Sequence, residues 1–263
     1  MLNDVQLNIH NIKKLQIEPP SEYNFLRFDS NNDCNLHCVY CHNHRSDKII
    51  ETEEFRFFLE KNIISVENFQ VGCIMEPTMD PRMCDLMLFI ANSPAKPKKQ
   101  LILQTNGIIL HKHDYGKMKE AGLNELSISI DSADQKIQKE LRSGTNLNRV
   151  ITNIKSLQKI CPEVKLTFIT TVTSHNIQQM EDLVYLGLDL GAVLFIFREV
   201  FHRPESNIVN HEKVKALLLK ESDFIVMKQK LVEKFNKKTT LLFADNQQLN
   251  SSEQKIKIDS KRD

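Results

Sequence analysis

The chain has 263 residues, of which 41% are hydrophobic and 26% charged, and a formal net charge of +1. Such a composition excludes a disordered or fibrous chain and suits one large domain, while the balanced charge makes nucleic acid an unlikely partner and gives no pull toward a membrane surface. Apolar runs such as 86–91 are far shorter than the roughly 20 residues that span a bilayer, so no membrane partner is expected and the expected compartment is the cytoplasm.

Short, mostly continuous apolar runs read as strands over 26–30, 69–74, 101–105, 126–131, 165–172 and 193–199, buried on both faces. Helices fall between them. Asp80-Pro81 sets a carboxylate ahead of a proline at a helix start, and Met83, Leu86, Met87 and Ile90 follow as an apolar stripe. A helix over 112–121 stops at Gly122. Ser132 with Gln135 reads as a capping box, with Gly144 as the stop that follows. Helices over 146–160 and 177–186 complete the set. The alternation predicts an α/β fold with a parallel sheet and right-handed crossovers, either curled into a partial barrel or lying open and doubly wound.

After Pro204 the pattern changes to two helices, 212–220 and 223–235, and a short strand, 240–244. The expected organisation is an N-terminal extension (1–22), an α/β body (23–203), a helical C-terminal extension with a short strand (204–249) and a flexible tail (250–263).

Six cysteines are present, and three of them form Cys34-Asn-Leu-His-Cys38-Val-Tyr-Cys41 just after the first strand. A secreted disulfide framework spreads its cysteines differently, so this cluster points to a metal. Two metal readings follow from the residues. One is a structural zinc of Cys3His type, with His42 or His44 as the fourth ligand, in a non-catalytic binding protein. The other is a four-iron cluster held by three cysteines, with one iron open to another ligand.

The spacing C-x3-C-x2-C, with Tyr40 at the aromatic position before the last cysteine, resembles the signature of the radical S-adenosylmethionine (SAM) superfamily. The resemblance implies a partial (β/α)6 barrel, a [4Fe-4S] cluster on Cys34, Cys38 and Cys41, and SAM chelated to the open iron. Cluster and SAM carry the difficult chemistry, and the protein orients and shields it. A 5′-deoxyadenosyl radical then removes hydrogen from a substrate, and a flavodoxin or ferredoxin serves as the reductant.

Later strand ends extend the resemblance in the family's order. Gly72-Cys-Ile-Met-Glu76-Pro77 is similar to the Gly-Gly-Glu-Pro segment, with three residues in place of its second glycine, and implies Glu76 on the SAM ammonium. Thr105-Asn106-Gly107 resembles the Thr-Asn-Gly turn. Ser129 and Arg142 match the pair on the SAM carboxylate. Asp131 implies a ribose contact, or equally a helix-entry residue. Thr171, before Asn176, implies a nucleoside contact.

The last strand ends in Arg198-Glu199-Val-Phe-His202-Arg203, and Arg198, Glu199 and His202 are substrate-contact candidates. The expected substrate is a polar small molecule, a sugar or a peptide. No cysteine follows Cys161, so an auxiliary cluster is not expected and a redox-neutral outcome is favoured. Epimerisation leads, as in natural-product biosynthesis, with dehydrogenation or rearrangement as alternatives. Cys73 is the thiol placed to return hydrogen. Cys84 reads as core, and Cys161 falls at the far end of the barrel.

Overall fold

A computed structural model describes residues 4–7, 25–62, 66–93 and 100–244. The tail at 250–263 and most of the extension at 1–22 lie outside the described residues. The apolar runs become strands β1 (Asp4–Leu7), β2 (Phe25–Phe28), β4 (Asn68–Val71), β5 (Gln100–Thr105), β6 (Leu123–Ser129), β8 (Lys165–Val172), β9 (Ala192–Glu199) and β10 (Thr240–Ala244). They form one eight-stranded sheet in the order β1-β2-β4-β5-β6-β8-β9-β10, with every neighbour parallel. The six expected strands are its centre. Asp4–Leu7 adds one edge, and Thr240–Ala244 adds the other by pairing with β9. The last strand therefore belongs to the barrel sheet and not to a separate extension.

Helices α1 (Thr52–Asn62), α2 (Met83–Ala91), α3 (Tyr115–Glu120), α4 (Gln135–Leu141), α5 (Leu147–Ile160) and α6 (Met180–Asp189) follow successive strands, and α7 (His211–Leu217) and α8 (Glu221–Phe235) precede β10. Parallel strands need such crossovers, and each helix buries its apolar stripe on the sheet. Phe28 meets Phe55 of α1 at 5.0 Å between ring centroids, and Phe168 meets Phe195 at 5.7 Å. The strands are not buried on both faces throughout. In β5 and β9 exposure alternates, because one face packs under helices while the other lines a cavity inside the curled sheet.

Local chemistry also departs from expectation at three helix starts. Helix α4 is capped by Asp134, whose carboxylate accepts from the amides of Lys136 and Ile137, while the Ser132 hydroxyl accepts from the Asp134 amide. Gln135 accepts from the Leu147 amide instead of closing a capping box. Asp80 lies ahead of α2 but accepts from the Arg82 amide and guanidinium, so it locks the turn before the helix. The 112–121 segment splits into a 3-10 turn, Leu110–Lys112, and α3, because Asp114 restarts the helix as an N-cap.

Candidate active site

The site is built where the strands end. From β2 the chain runs through Asp29 into the cysteine loop, whose strand β3 (His37–Cys38) pairs antiparallel with β7 (Arg142–Ser143). Asp29 is buried and accepts hydrogen bonds from three successive amides, Cys73 at 2.8 Å, Ile74 at 2.9 Å and Met75 at 3.2 Å. One carboxylate thus ties the end of β2 to the loop after β4. Burial raises its pKa, and the three amides only partly oppose that shift. Nothing in the hydrophobic pattern marks Asp29; sequence reasoning missed it.

Within the loop the Cys41 amide donates to the Cys38 carbonyl at 3.1 Å, and Arg45 donates to the Cys34 carbonyl at 3.1 Å. All three thiols are free, half-buried and on the wall of one cavity of about 380 Å³. Burial pushes the Cys38 thiol up to about 12.

Glu76 lies beside them, 3% exposed. Its Oε1 accepts from the Thr78 amide at 3.1 Å, the Thr78 hydroxyl at 2.5 Å and the Thr105 hydroxyl at 2.5 Å; its Oε2 accepts from the Asn106 amide at 2.7 Å. Burial still raises its pKa, since among the described residues no cation pairs with it. Gly72 makes this approach possible: its φ is +86°, and a Cβ there would sit 2.2 Å from the Gln104 carbonyl oxygen. The Asn106 side chain donates to Asn35 at 2.7 Å, which fixes the cysteine loop against β5.

On the opposite wall Arg142 makes a bidentate pair with Asp131, Nε to Oδ2 at 2.8 Å and Nη2 to Oδ1 at 3.1 Å. Tyr40 donates its hydroxyl to the same carboxylate, and the Thr171 amide donates at 2.9 Å. Asp131 is fully buried behind the cavity wall, with its carboxylate taken up by Arg142, Tyr40 and the Thr171 amide. It orients Arg142 and Tyr40, which do reach the cavity.

At the mouth, Arg198 and Glu199 line the cavity, together with Cys73. Arg198 is surrounded by protein yet reached by solvent through the opening. Burial lowers its pKa, and the positive charge of Arg27 on β2 lowers it further. His202 turns away, to His211 at 2.8 Å. Of the residues singled out as cofactor or substrate contacts, Asp131 and His202 are those that do not line the cavity.

The family model described as the radical SAM superfamily matches residues 30–186 of the chain. The chain belongs to that superfamily. Its cofactors are therefore a [4Fe-4S] cluster and SAM, and it is a radical SAM enzyme. A protein named as a probable GTP 3′,8-cyclase from Methanocaldococcus jannaschii is 27% identical over 225 residues, which cover 80% of this chain and 73% of that one. A GTP 3′,8-cyclase from Alkaliphilus metalliredigens is 28% identical over 177 residues, 63% of this chain and 53% of that one. Among solved structures, Streptococcus suis SuiB bound to S-adenosylmethionine superposes with a TM-score of 0.69 at 16% identity, over 90% of this chain and 53% of that one. Native anSMEcpe with bound AdoMet gives 0.62 at 17% identity, over 84% and 63%. The chain spans about half the length of SuiB, and these structural likenesses establish the partial barrel.

The family match overturns the zinc alternative. His42 stacks on Phe201 at 5.7 Å between ring centroids. Among the described residues no helix is long and apolar enough to cross a membrane.

Proposed function

We propose that this radical SAM enzyme takes a hydrogen atom from a polar, anion-bearing substrate held at the cavity mouth by Arg198, with Glu199 beside it. One observation carries the reading: a single cavity is lined by three free thiols, the Glu76 cradle, Arg142 and Arg198.

The donor set suits the cofactors. Cys34, Cys38 and Cys41 would hold the cluster and leave one iron for SAM. Glu76, a buried carboxylate with no cation of its own among the described residues, suits the SAM ammonium; Ser129 and Arg142 suit its carboxylate. Tyr40, Asn106 and Thr171 border the same space, and Asp131 acts as a positioning residue through Arg142. When bound, the cluster supplies the electron that cleaves SAM to methionine and a 5′-deoxyadenosyl radical. The protein then has to hold the substrate C–H near that radical and exclude water.

For the outcome, epimerisation remains our leading reading. Burial pushes the Cys73 thiol up to about 12, so it stays S–H, the form that can donate a hydrogen atom. The substrate radical would take that atom, and the resulting thiyl would regain one electron and one proton from the external reductant and solvent. A second reading, cyclisation of a GTP-type nucleotide, is favoured by the names of the relatives. It uses the same guanidinium at the mouth and does not need Cys73. His202, held by His211, supports neither.

Anaerobic reconstitution tests the shared claim. The protein should turn brown and release 5′-deoxyadenosine from SAM under dithionite, and Ala at Cys34, Cys38 and Cys41 should abolish both. A colourless protein with one tightly bound zinc would overturn it. Incubation with GTP then separates the readings. GTP consumption that survives Cys73→Ala selects cyclisation. Solvent deuterium at an inverted carbon, lost in Cys73→Ala, selects epimerisation.

A further inference from the structure

Cys38 and Cys41 line two cavities at once. One is the barrel cavity; the other is a groove on the far side of the cysteine loop, bordered by Arg45, Lys139 of α4 and Lys213 of α7. Lys139 and Lys213 are exposed, and among the described residues neither ammonium is held in an ion pair. The groove has one carboxylate, Glu140, and His175 already binds it at 2.8 Å. Three permanent cations against one paired carboxylate make this face positive on a chain whose net charge is only +1. Ile208, 37% exposed, adds an apolar element at its edge.

We propose that this groove is the docking surface for a small acidic one-electron carrier protein, which delivers its electron through the Cys38–Cys41 side of the loop. The inference rests on the reading that these cysteines hold the cluster. The barrel side is taken by SAM and substrate during turnover, which leaves the groove as the approach to the same sulfurs. A basic rim with a small apolar contact is what a transient redox encounter needs: steering at distance and a modest contact area. One electron leaves the reduced carrier and one enters the oxidised cluster, with no bond or proton transferred.

The test uses reconstituted holoenzyme and an acidic flavodoxin. Calorimetric binding should weaken about tenfold between low and physiological salt, as screened charge pairs do. Lys139→Glu with Lys213→Glu should raise Kd about tenfold or more, and the corresponding arginine pair should bind like wild type. Both double variants should release 5′-deoxyadenosine at the wild-type rate under dithionite, since neither lysine touches the SAM cavity. With flavodoxin as donor, the glutamate pair should be slow. Flavodoxin binding that ignores salt and both lysines, or no binding to wild type, overturns the proposal. Failure of the wild type to release 5′-deoxyadenosine even under dithionite would instead strike the reading of the cluster site.

Discussion

Asp131→Asn is the sharpest probe of how the cofactor cavity is held open. The carboxylate is fully buried and accepts two hydrogen bonds from Arg142, whose side chain is 11% exposed. Asparagine keeps the shape but loses the charge, and in either orientation its amide sets a donor against Arg142, beside Nε and Tyr40 or beside Nη2 and the Thr171 amide. Breaking one partner of a buried pair costs about 3–5 kcal/mol, because the other charge stays buried. Arg142 also borders the cavity, so solvent reaches it and the low end, about 3 kcal/mol, applies. With a urea m-value of about 3 kcal/mol/M, that corresponds to a midpoint about 1 M lower. Anaerobic urea unfolding of the apoprotein, followed by circular dichroism, measures it. A double-mutant cycle with Arg142→Met should return about 1–3 kcal/mol of coupling, since the second change removes the stranded charge. A loss below about 1 kcal/mol for Asp131→Asn would refute the argument, because it would mean that Arg142 is satisfied without Asp131.

Three further outcomes follow from other contacts. Gly72→Ala meets both a positive φ and the Gln104 carbonyl, so it should destabilise by about 3 kcal/mol or more and abolish SAM binding, read by thermal denaturation and calorimetry. Thr105→Val removes a buried donor to Glu76 and should weaken SAM binding about tenfold while the iron content is unchanged, read by calorimetry beside iron analysis. For Asp80, burial alone would raise the pKa, but the hydrogen bonds and charge of Arg82 outweigh it and hold the carboxyl below its ordinary 3.8. Its folded pKa is depressed, so its contribution is present above pH 3.8 and lost as pH falls through the folded value. Asp80→Asn should therefore lower Tm at pH 6, with the gap to wild type closing below pH 3.8.

The six central strands were legible because strands packed under helices announce themselves as apolar runs. The edges were harder. Asp4–Leu7 is a short mixed segment, and nothing in its composition distinguishes a paired edge from an extension. The 240–244 strand was visible, but its partner was not, since pairing with β9 depends on how far the sheet curls. In the site, the cysteines were singled out by their spacing and Glu76, Asn106, Ser129 and Arg142 by the family resemblance, and all of them line one cavity. The residues that hold them were not singled out. Asp29 acts on amides 44 to 46 positions away, and Thr105 reaches Glu76 across 29. Such long-range capping has no periodic signature. For Asp131 the sequence left a ribose contact and a helix-entry role equally open, because its bidentate pairing with Arg142, eleven positions on, has no periodic signature either.

The short antiparallel ribbon of His37–Cys38 and Arg142–Ser143 has a mechanical consequence. It stitches the loop that carries the three cysteines to Arg142, the residue our proposal sets against the sulfonium ligand's acid group, so neither can shift alone. Ordering one strand orders its mate, and occupancy at one end must favour occupancy at the other by the same factor in both directions. Oxidative loss of the inorganic core would then slacken the ligand clamp as well, and damage that begins at a sulfur would be felt first as a weaker grip on the sulfonium.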